Sequence, residues 1–170
     1  WRWHMKDDAH LAETAIASTE ILKGRFLHAF RDTVLLPDAT ETIREYIVHP
    51  GAAMVIALLD DGRVLLERQY RYPMHRVMIE FPAGKLDAGE TPLDCAKREL
   101  FEETGYTARE WARAGVLHPV ISYSTEFIDI WFARGMVTGE RVLDAGEFLE
   151  VFTATTAELS DWCRDGQVTD

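Results

Sequence analysis

The stretch Gly84–Tyr106 reads GKLDAGETPLDCAKRELFEETGY and ends in a cluster of glutamates. An α-helix turns about 100° per residue, so Glu99, Glu102 and Glu103 project from one side of a helix, within a wedge of roughly 100°. Carboxylates this close repel one another, and a hard divalent cation relieves the repulsion because Mg²⁺ and Mn²⁺ prefer carboxylate oxygens. The stretch therefore predicts a metal site of the kind that serves phosphate chemistry.

The same stretch carries the signals of a helix start and a helix end. Thr91 is a good N-cap and Pro92 suits the first helical position. Gly105 is placed to end the helix in a left-handed conformation. Arg98 lies four residues before Glu102, so we expect the arginine to orient that carboxylate.

The pattern G-x5-E-x7-R-E-U-x-E-E-x-G-U, where U is a bulky apolar residue, is the Nudix box, and this stretch matches every fixed position. The chain therefore resembles the Nudix hydrolases. The resemblance implies an α/β fold, a Nudix-type α/β/α sandwich with a mixed sheet plus a small N-terminal antiparallel β subdomain. It also implies catalysis that depends on Mg²⁺ or Mn²⁺, with catalytic roles for the box residues Arg98, Glu99, Glu102 and Glu103.

The residues in front of the box narrow the resemblance to the ADP-ribose pyrophosphatases. The segment 80–85 reads EFPAGK, which is similar to the segment preceding the box in those enzymes. There the equivalent of Ala83 contributes its backbone carbonyl to the metal, next to the box glutamates. One departure concerns the marker proline of that group, which falls at Ile121 here, while Pro119 lies two residues earlier.

The resemblance also implies substrate contacts outside the box. The candidates are Arg44, Glu45, Arg71, Phe26 and Glu126. In relatives the adenine stacks on aromatic side chains, for which Phe30 and Tyr46 are further candidates. Each of these aromatic residues is individually more typical of core packing.

A general base is expected in the loop 143–148, which reads LDAGEF. ADP-ribose pyrophosphatases often use a glutamate on such a loop, so Glu147 is the first candidate and Asp144 the second. Other relatives use a box glutamate, and the sequence leaves that alternative open.

Composition limits the partners. The chain has 18 Lys plus Arg and 29 Asp plus Glu, a net charge of −11. This acidity disfavours nucleic acid and an anionic membrane surface as partners. A small-molecule nucleotide stays compatible, because bound cations reverse the local sign of the field. Two cysteines and the lack of a signal-like or membrane-like run predict a cytoplasmic protein.

Three segments are expected along the chain. Residues 1–19 form an N-terminal arm, of which 1–4 are interpreted as a remnant of protein expression ahead of Met5. Residues 20–50 form a small antiparallel β subdomain, and residues 51–170 form the Nudix hydrolase domain. Exposed edges of the small sheet, together with the family resemblance, predict a homodimer in which 20–50 contributes nucleotide contacts to the neighbouring protomer.

The expected function is metal-dependent hydrolysis of the pyrophosphate bond of ADP-ribose or a related nucleoside diphosphate sugar, giving AMP and ribose 5-phosphate. One alternative is a Nudix hydrolase acting on NADH, a diadenosine polyphosphate or a damaged nucleoside triphosphate. The other is a non-catalytic nucleotide-sensing module, which the presence of all three metal-binding box glutamates disfavours.

Overall fold

The computed structural model describes residues 8–143 and 146–170. These residues form two compact units. The small unit is the chain up to His49 together with Val120–Glu126, and the large unit is Pro50–Pro119 with Phe127–Asp170. Nowhere in the described chain is a helix long and apolar enough to cross a membrane.

The small unit is built on a three-stranded antiparallel sheet. Its strands are β1 (Thr14–Lys23), β2 (His28–Leu35) and β3 (Glu41–Val48), in the order β1-β2-β3. The first strand begins at Thr14, so the expected arm up to residue 19 was wrong for its last part. Every residue of β1 is exposed, so pairing with β2 defines the strand and no pattern of buried residues marks its start.

The segment Val120–Glu126 belongs to the small unit, although the sequence assigned it to the Nudix domain 51–170. The backbone N–H of Ile47 donates to the carbonyl of Tyr123 at 2.9 Å, and the N–H of Thr125 donates to the carbonyl of Ile47 at 3.0 Å. These hydrogen bonds join residues far apart in the chain. Local sequence patterns carry no signal for such a pairing.

The large unit contains a mixed sheet and two α-helices. The strands are β4 (Ala52–Leu58), β5 (Val64–Arg71), β6 (Arg76–Glu80), β7 (Ala83–Lys85), β8 (Tyr106–Leu117), β9 (Ile128–Thr138) and β10 (Leu149–Ala154). The helices are α1 (Pro92–Thr104) and α2 (Thr156–Arg164). The strand order is β10-β5-β4-β9-β8, with β6 beside β5 and β7 beside β4. Only the β4–β9 pairing is parallel among the strand pairs of the described residues.

The two helices cover opposite faces of this sheet. Neighbouring residues of a strand point to opposite faces. In β5, Leu65 packs in one core with Cys95 and Leu100 of α1. Leu66 packs in the other core, against Trp162 of α2. This arrangement confirms the expected α/β/α sandwich.

Both ends of α1 lie where the sequence predicted them. The Thr91 hydroxyl accepts a hydrogen bond from the backbone N–H of Asp94 at 3.2 Å, which caps the start of the helix. Gly105 ends it at φ 75°, with its N–H donating to the carbonyl of Phe101 at 2.8 Å. The cap is worth about 1 kcal/mol in comparable helices. The helix that carries the box glutamates is thus fixed at both ends.

Candidate active site

Arg98 lies at the centre of the carboxylates on and around α1. Its guanidinium donates to Glu90 through Nε and Nη2, both at 2.9 Å, and through Nη1 to Glu99 at 2.7 Å and Glu102 at 3.0 Å. Nη2 also donates to the backbone carbonyl of Lys85 at 3.1 Å. One planar cation therefore sets the positions of three carboxylates, because the guanidinium presents its donors in a rigid fork.

The Arg98–Glu90 pair stays charged at any ordinary pH. Hydrogen bonds from Arg98 lower the pKa of Glu90 to about 2. The hydrogen bond to Glu90, followed by those to Glu99 and Glu102, raises the pKa of Arg98 despite partial burial. The ion pair between Arg98 and Glu90 therefore persists over the pH range in which the buried carboxyl groups of Glu99 and Glu103 titrate.

Glu103 connects α1 to β7. The residue is 3% exposed, and its Oε2 accepts a hydrogen bond from the backbone N–H of Ala83 at 3.1 Å. Burial raises the pKa of Glu103, and the negative charges of Glu67, Glu99 and Glu147 raise it further. The amide of Ala83 thus contacts a box glutamate, while the predicted metal role of its carbonyl stays a prediction.

Gly84 makes room for the carboxylate of Glu99. A Cβ at position 84 would lie 1.9 Å from Oε1 and 2.0 Å from Cδ of Glu99. Any side chain there would displace the carboxylate, because van der Waals contacts between heavy atoms begin near 3.4 Å. The need for glycine at the first position of the box is therefore steric. Burial raises the pKa of Glu99, whose carboxylate Gly84 accommodates.

Glu67, on β5, was missed by the sequence analysis. It is 0% exposed, and within the described residues neither of its carboxylate oxygens has a hydrogen-bond partner. Burial raises its pKa, as does the charge of Glu80, while Arg71 lowers it. Glu103 lies within hydrogen-bonding reach, but two ionised carboxylates are both acceptors and bond only when they share a proton.

Arg71 and Glu80 form a bidentate ion pair beside this carboxylate. Nε of Arg71 donates to the two Glu80 oxygens at 2.8 and 3.0 Å, and Nη2 donates to Oε2 at 2.5 Å. The hydrogen bond to Glu80 raises the pKa of Arg71, and the charges of Glu67 and Glu103 add to the shift. The structure therefore places Arg71, one of the predicted substrate contacts, beside the buried carboxyl groups of Glu67 and Glu80.

Two signals in the sequence could have drawn attention to Glu67 and Glu80. Glu67 directly follows the buried apolar run Val64–Leu66, where a charged residue is unusual unless it is paired or functional. Glu80 opens the EFPAGK segment that was quoted for its resemblance alone.

Glu147 lies in the wall of a cleft of about 550 Å³ in the large unit. Other lining residues are Arg68, Tyr70, Val77, Arg141 and Phe148. The charge of Glu147 raises the pKa of Glu67, Glu99 and Glu103. The structure thus brings the predicted base close to the box glutamates, while Asp144 lies outside the described residues.

The predicted contacts Arg44 and Glu45 lie in the small unit. Nη2 of Arg44 donates to Glu13 at 2.6 Å, and Nε of Arg31 donates to Glu45 at 2.7 Å. Because consecutive strand residues point to opposite faces, the two side chains do not share one face of the sheet. Their roles in substrate binding stay predictions.

Aromatic side chains of the small unit pair with one another. The rings of Phe26 and His49 pack edge to face with their centroids 5.5 Å apart. Phe30 stacks on Tyr46 with a centroid separation of 5.9 Å. Glu126 lies 3.8 Å from the His49 ring nitrogen Nε2. Phe26 and Glu126 therefore approach the same histidine, and their contacts with substrate also stay predictions.

The donors near α1 fit a divalent cation in their chemistry, but several are engaged elsewhere. In residues 8–143 and 146–170, no three His, Cys, Asp or Glu side chains converge closely enough to hold a metal ion as they stand. Arg98 engages Glu99 and Glu102, and Glu103 turns to a backbone N–H. All the donors are hard oxygens, and those of Glu67 are buried and unpaired. Metal ligation therefore requires some of these side chains to turn, and it stays a prediction.

Residues 48–168 match the NUDIX domain family. The chain belongs to the Nudix hydrolases, and the carboxylate cluster on α1 is the box of that family. The match begins at Val48, the last residue of β3, and includes the large unit up to Val168.

Similar proteins include an ADP-ribose pyrophosphatase, a methanol dehydrogenase activator and a solved ADP compounds hydrolase. ADP-ribose pyrophosphatase of Bacillus subtilis is 34% identical over 162 residues, covering 94% of this chain and 88% of the relative. Methanol dehydrogenase activator of Bacillus methanolicus is 34% identical over 162 residues, covering 93% and 86%. A solved structure of an ADP compounds hydrolase superposes with a TM-score of 0.84 at 21% identity, covering 94% of this chain and 88% of that one. The superposition confirms the fold.

The buried carboxyl groups predict how the stability of the protein in EDTA depends on pH. Burial raises the pKa of Glu67 and Glu103 above the usual 4.5, so the folded state holds these protons more tightly than the unfolded state. Their contribution to stability is fully present below pH 4.5 and is lost as the pH rises through the higher folded-state values. We expect the free energy of unfolding to fall between about pH 5 and about pH 8.

Urea unfolding of the protein in EDTA across that range measures the slope. Glu67→Gln removes one of the two groups and should flatten the curve. Glu110→Gln is the matched control, because Glu110 lies exposed on β8 in an ion pair with Arg134. A stability that is constant or rises over this range would show that the carboxylates are buried in their charged form.

Proposed function

We propose that the protein hydrolyses the pyrophosphate bond of ADP-ribose or a related nucleoside diphosphate sugar. With ADP-ribose the products are AMP and ribose 5-phosphate. The observation that carries the proposal is the set of box carboxylates held by Arg98 and by the Ala83 amide, with the charge of Glu147 acting on Glu99 and Glu103. The 34% identity to the ADP-ribose pyrophosphatase of Bacillus subtilis over 94% of the chain supports the substrate class.

Mg²⁺ or Mn²⁺ is the proposed cofactor. The carboxylates of Glu99, Glu102 and Glu103 and the backbone carbonyl of Ala83 would hold it, since hard cations take oxygen ligands. A bound divalent cation neutralises the diphosphate and lowers the pKa of a bound water. The mutual electrostatic effects of the box glutamates support this assignment, because they place negative charge where a cation is needed.

The side chains divide the remaining work. Arg98 keeps Glu99 and Glu102 in position, and Glu147 accepts the proton of the attacking water. Arg71 contacts a substrate phosphate. A guanidinium has five N–H donors, and the pair with Glu80 uses only Nε and one donor of Nη2. The arginine is thus fixed in direction while it retains donors for a phosphate oxygen.

A second candidate function is the activation of a dehydrogenase. It is favoured by the relative named methanol dehydrogenase activator, which matches this chain at the same 34% identity as the pyrophosphatase. Methanol oxidation by purified methanol dehydrogenase, unchanged when this protein is added, would exclude activation of that enzyme.

We further propose that the protein is a cytoplasmic homodimer that joins through the small unit. Strand β1 is exposed along its whole length, including Ile16, Ile21 and Leu22, and exposed apolar strands usually require a cover. In the dimer, residues of the small unit reach substrate. They are Phe26, Arg44, Glu45 and Glu126. The cytoplasmic location is supported by two free cysteines, Cys95 and Cys163.

Sedimentation velocity at micromolar concentration tests the dimer. Ile16→Lys places a charge on the exposed strand and should convert the dimer to a monomer without unfolding the large unit. Lys23→Ala, at the end of the same strand, is the control that should stay dimeric. A wild-type protein that sediments as a monomer at these concentrations would contradict the proposal.

The activity is tested by incubating the protein with Mg²⁺ and one substrate at a time. The panel is ADP-ribose, NADH, GDP-mannose, diadenosine tetraphosphate and 8-oxo-dGTP. We expect preferential release of AMP from ADP-ribose. Glu103→Gln should lower kcat by about 100-fold or more, because a neutral amide replaces a carboxylate at the centre of the cluster.

Glu110→Gln serves as the matched control and should keep wild-type kcat, since Glu110 is exposed on β8. Preference for another substrate would retain the hydrolase and replace ADP-ribose. Turnover of Glu103→Gln at the wild-type rate would remove Glu103 from the site.

A further inference from the structure

Glu67 is a carboxyl group that is fully buried in the large unit. It is 0% exposed, and neither Oε1 nor Oε2 has a hydrogen-bond partner among the residues that the structure describes. A carboxylate removed from water without donors is strongly destabilising. The residue is therefore expected to serve a purpose other than stability.

The surrounding charges add to this imbalance. The negative charges of Glu80 and Glu147 disfavour a charge on Glu67, and the positive charge of Arg71 favours it. Arg71 in turn is held in a bidentate pair by Glu80. The carboxyl groups of Glu67, Glu80 and Glu147 thus share one guanidinium, and a bound cation would balance the remaining negative charge.

The position of Glu67 in β5 directs its side chain toward α1. Residues two apart in a strand share a face, so Glu67 lies on the same face as Leu65. Leu65 packs in the core that contains Leu100 of α1. Glu103 lies three residues beyond Leu100, on neighbouring positions of the helix surface. Glu67 of the sheet and Glu103 of the helix therefore face each other as the two leucines do.

We propose that Glu67 is a further ligand of the divalent cation, presented by β5 opposite Glu103 of α1. The inference rests on the proposed metal-dependent function, and it adds a residue from the sheet to a ligand set otherwise drawn from the box and β7. Buried hard oxygens without hydrogen bonds are suited to this role, because a cation replaces the donors that the protein does not supply.

Manganese binding tests the proposal without reference to catalysis. The signal of free Mn²⁺ in electron paramagnetic resonance, followed during titration, gives the affinity of the wild type, Glu67→Gln and Glu110→Gln. We expect Glu67→Gln to bind about 10-fold more weakly or worse, and Glu110→Gln to bind like the wild type. Equal affinity of Glu67→Gln and the wild type would overturn the proposal, as would a wild type that binds no Mn²⁺.

Thermal unfolding separates a ligand from a structural residue. In EDTA, Glu67→Gln should raise Tm because the amide removes the cost of burying an ionisable group, and added Mn²⁺ should then raise Tm by less than in the wild type. A structural carboxyl that shares a proton with Glu103 predicts the reverse: a lower Tm in EDTA and an unchanged gain with Mn²⁺. A Glu67→Gln protein that fails to fold counts with this reverse result.

The outcome is also distinguishable from a failure of the proposed function. A wild type that binds Mn²⁺ but releases no AMP from ADP-ribose contradicts the substrate assignment. Weaker Mn²⁺ binding by Glu67→Gln supports the ligand role in that case as well.

Discussion

The repulsion between carboxylates packed into a small, poorly hydrated space is the constraint on which this structure depends. Burial raises the pKa of Glu67, Glu99 and Glu103, and the charges of Glu67 and Glu99 raise that of Glu103 further. Such an arrangement works against folding. The fork of Arg98 offsets part of the repulsion on α1, and Arg71 offsets part of it at β5. The repulsion that remains would be relieved by a bound cation.

The fold holds these groups in place through contacts that leave little freedom. Because Gly84 has no side chain, the carboxylate of Glu99 can lie against the backbone there. Thr91 and Gly105 fix the two ends of the helix, and Leu100 anchors its apolar side in the core. The site is therefore built on rigid elements, and Glu147 is the one proposed catalytic group on a loop.

The sequence predicted what local pattern determines. The caps of α1, the contact between Arg98 and Glu102 and the sandwich all follow from spacing or from the resemblance that spacing revealed. The role proposed for Glu67 does not follow from spacing. It depends on Glu67 facing Glu103 across the core, and the spacing of residues within β5 does not show that contact. The start of β1 at Thr14 and the pairing of 120–126 with β3 depend likewise on distant partners, so short-range patterns failed there.

Anomalous X-ray diffraction from crystals soaked in Mn²⁺ tests the central claim most directly, because it locates the ion without assuming a mechanism. We predict a peak bounded by the carboxylates of Glu99, Glu102 and Glu103, with an oxygen of Glu67 in the coordination sphere of the ion. We also expect Glu103 to turn away from the Ala83 amide to reach the ion. A peak elsewhere in the molecule, or one at α1 with Glu67 unchanged and distant, would contradict the proposed metal site.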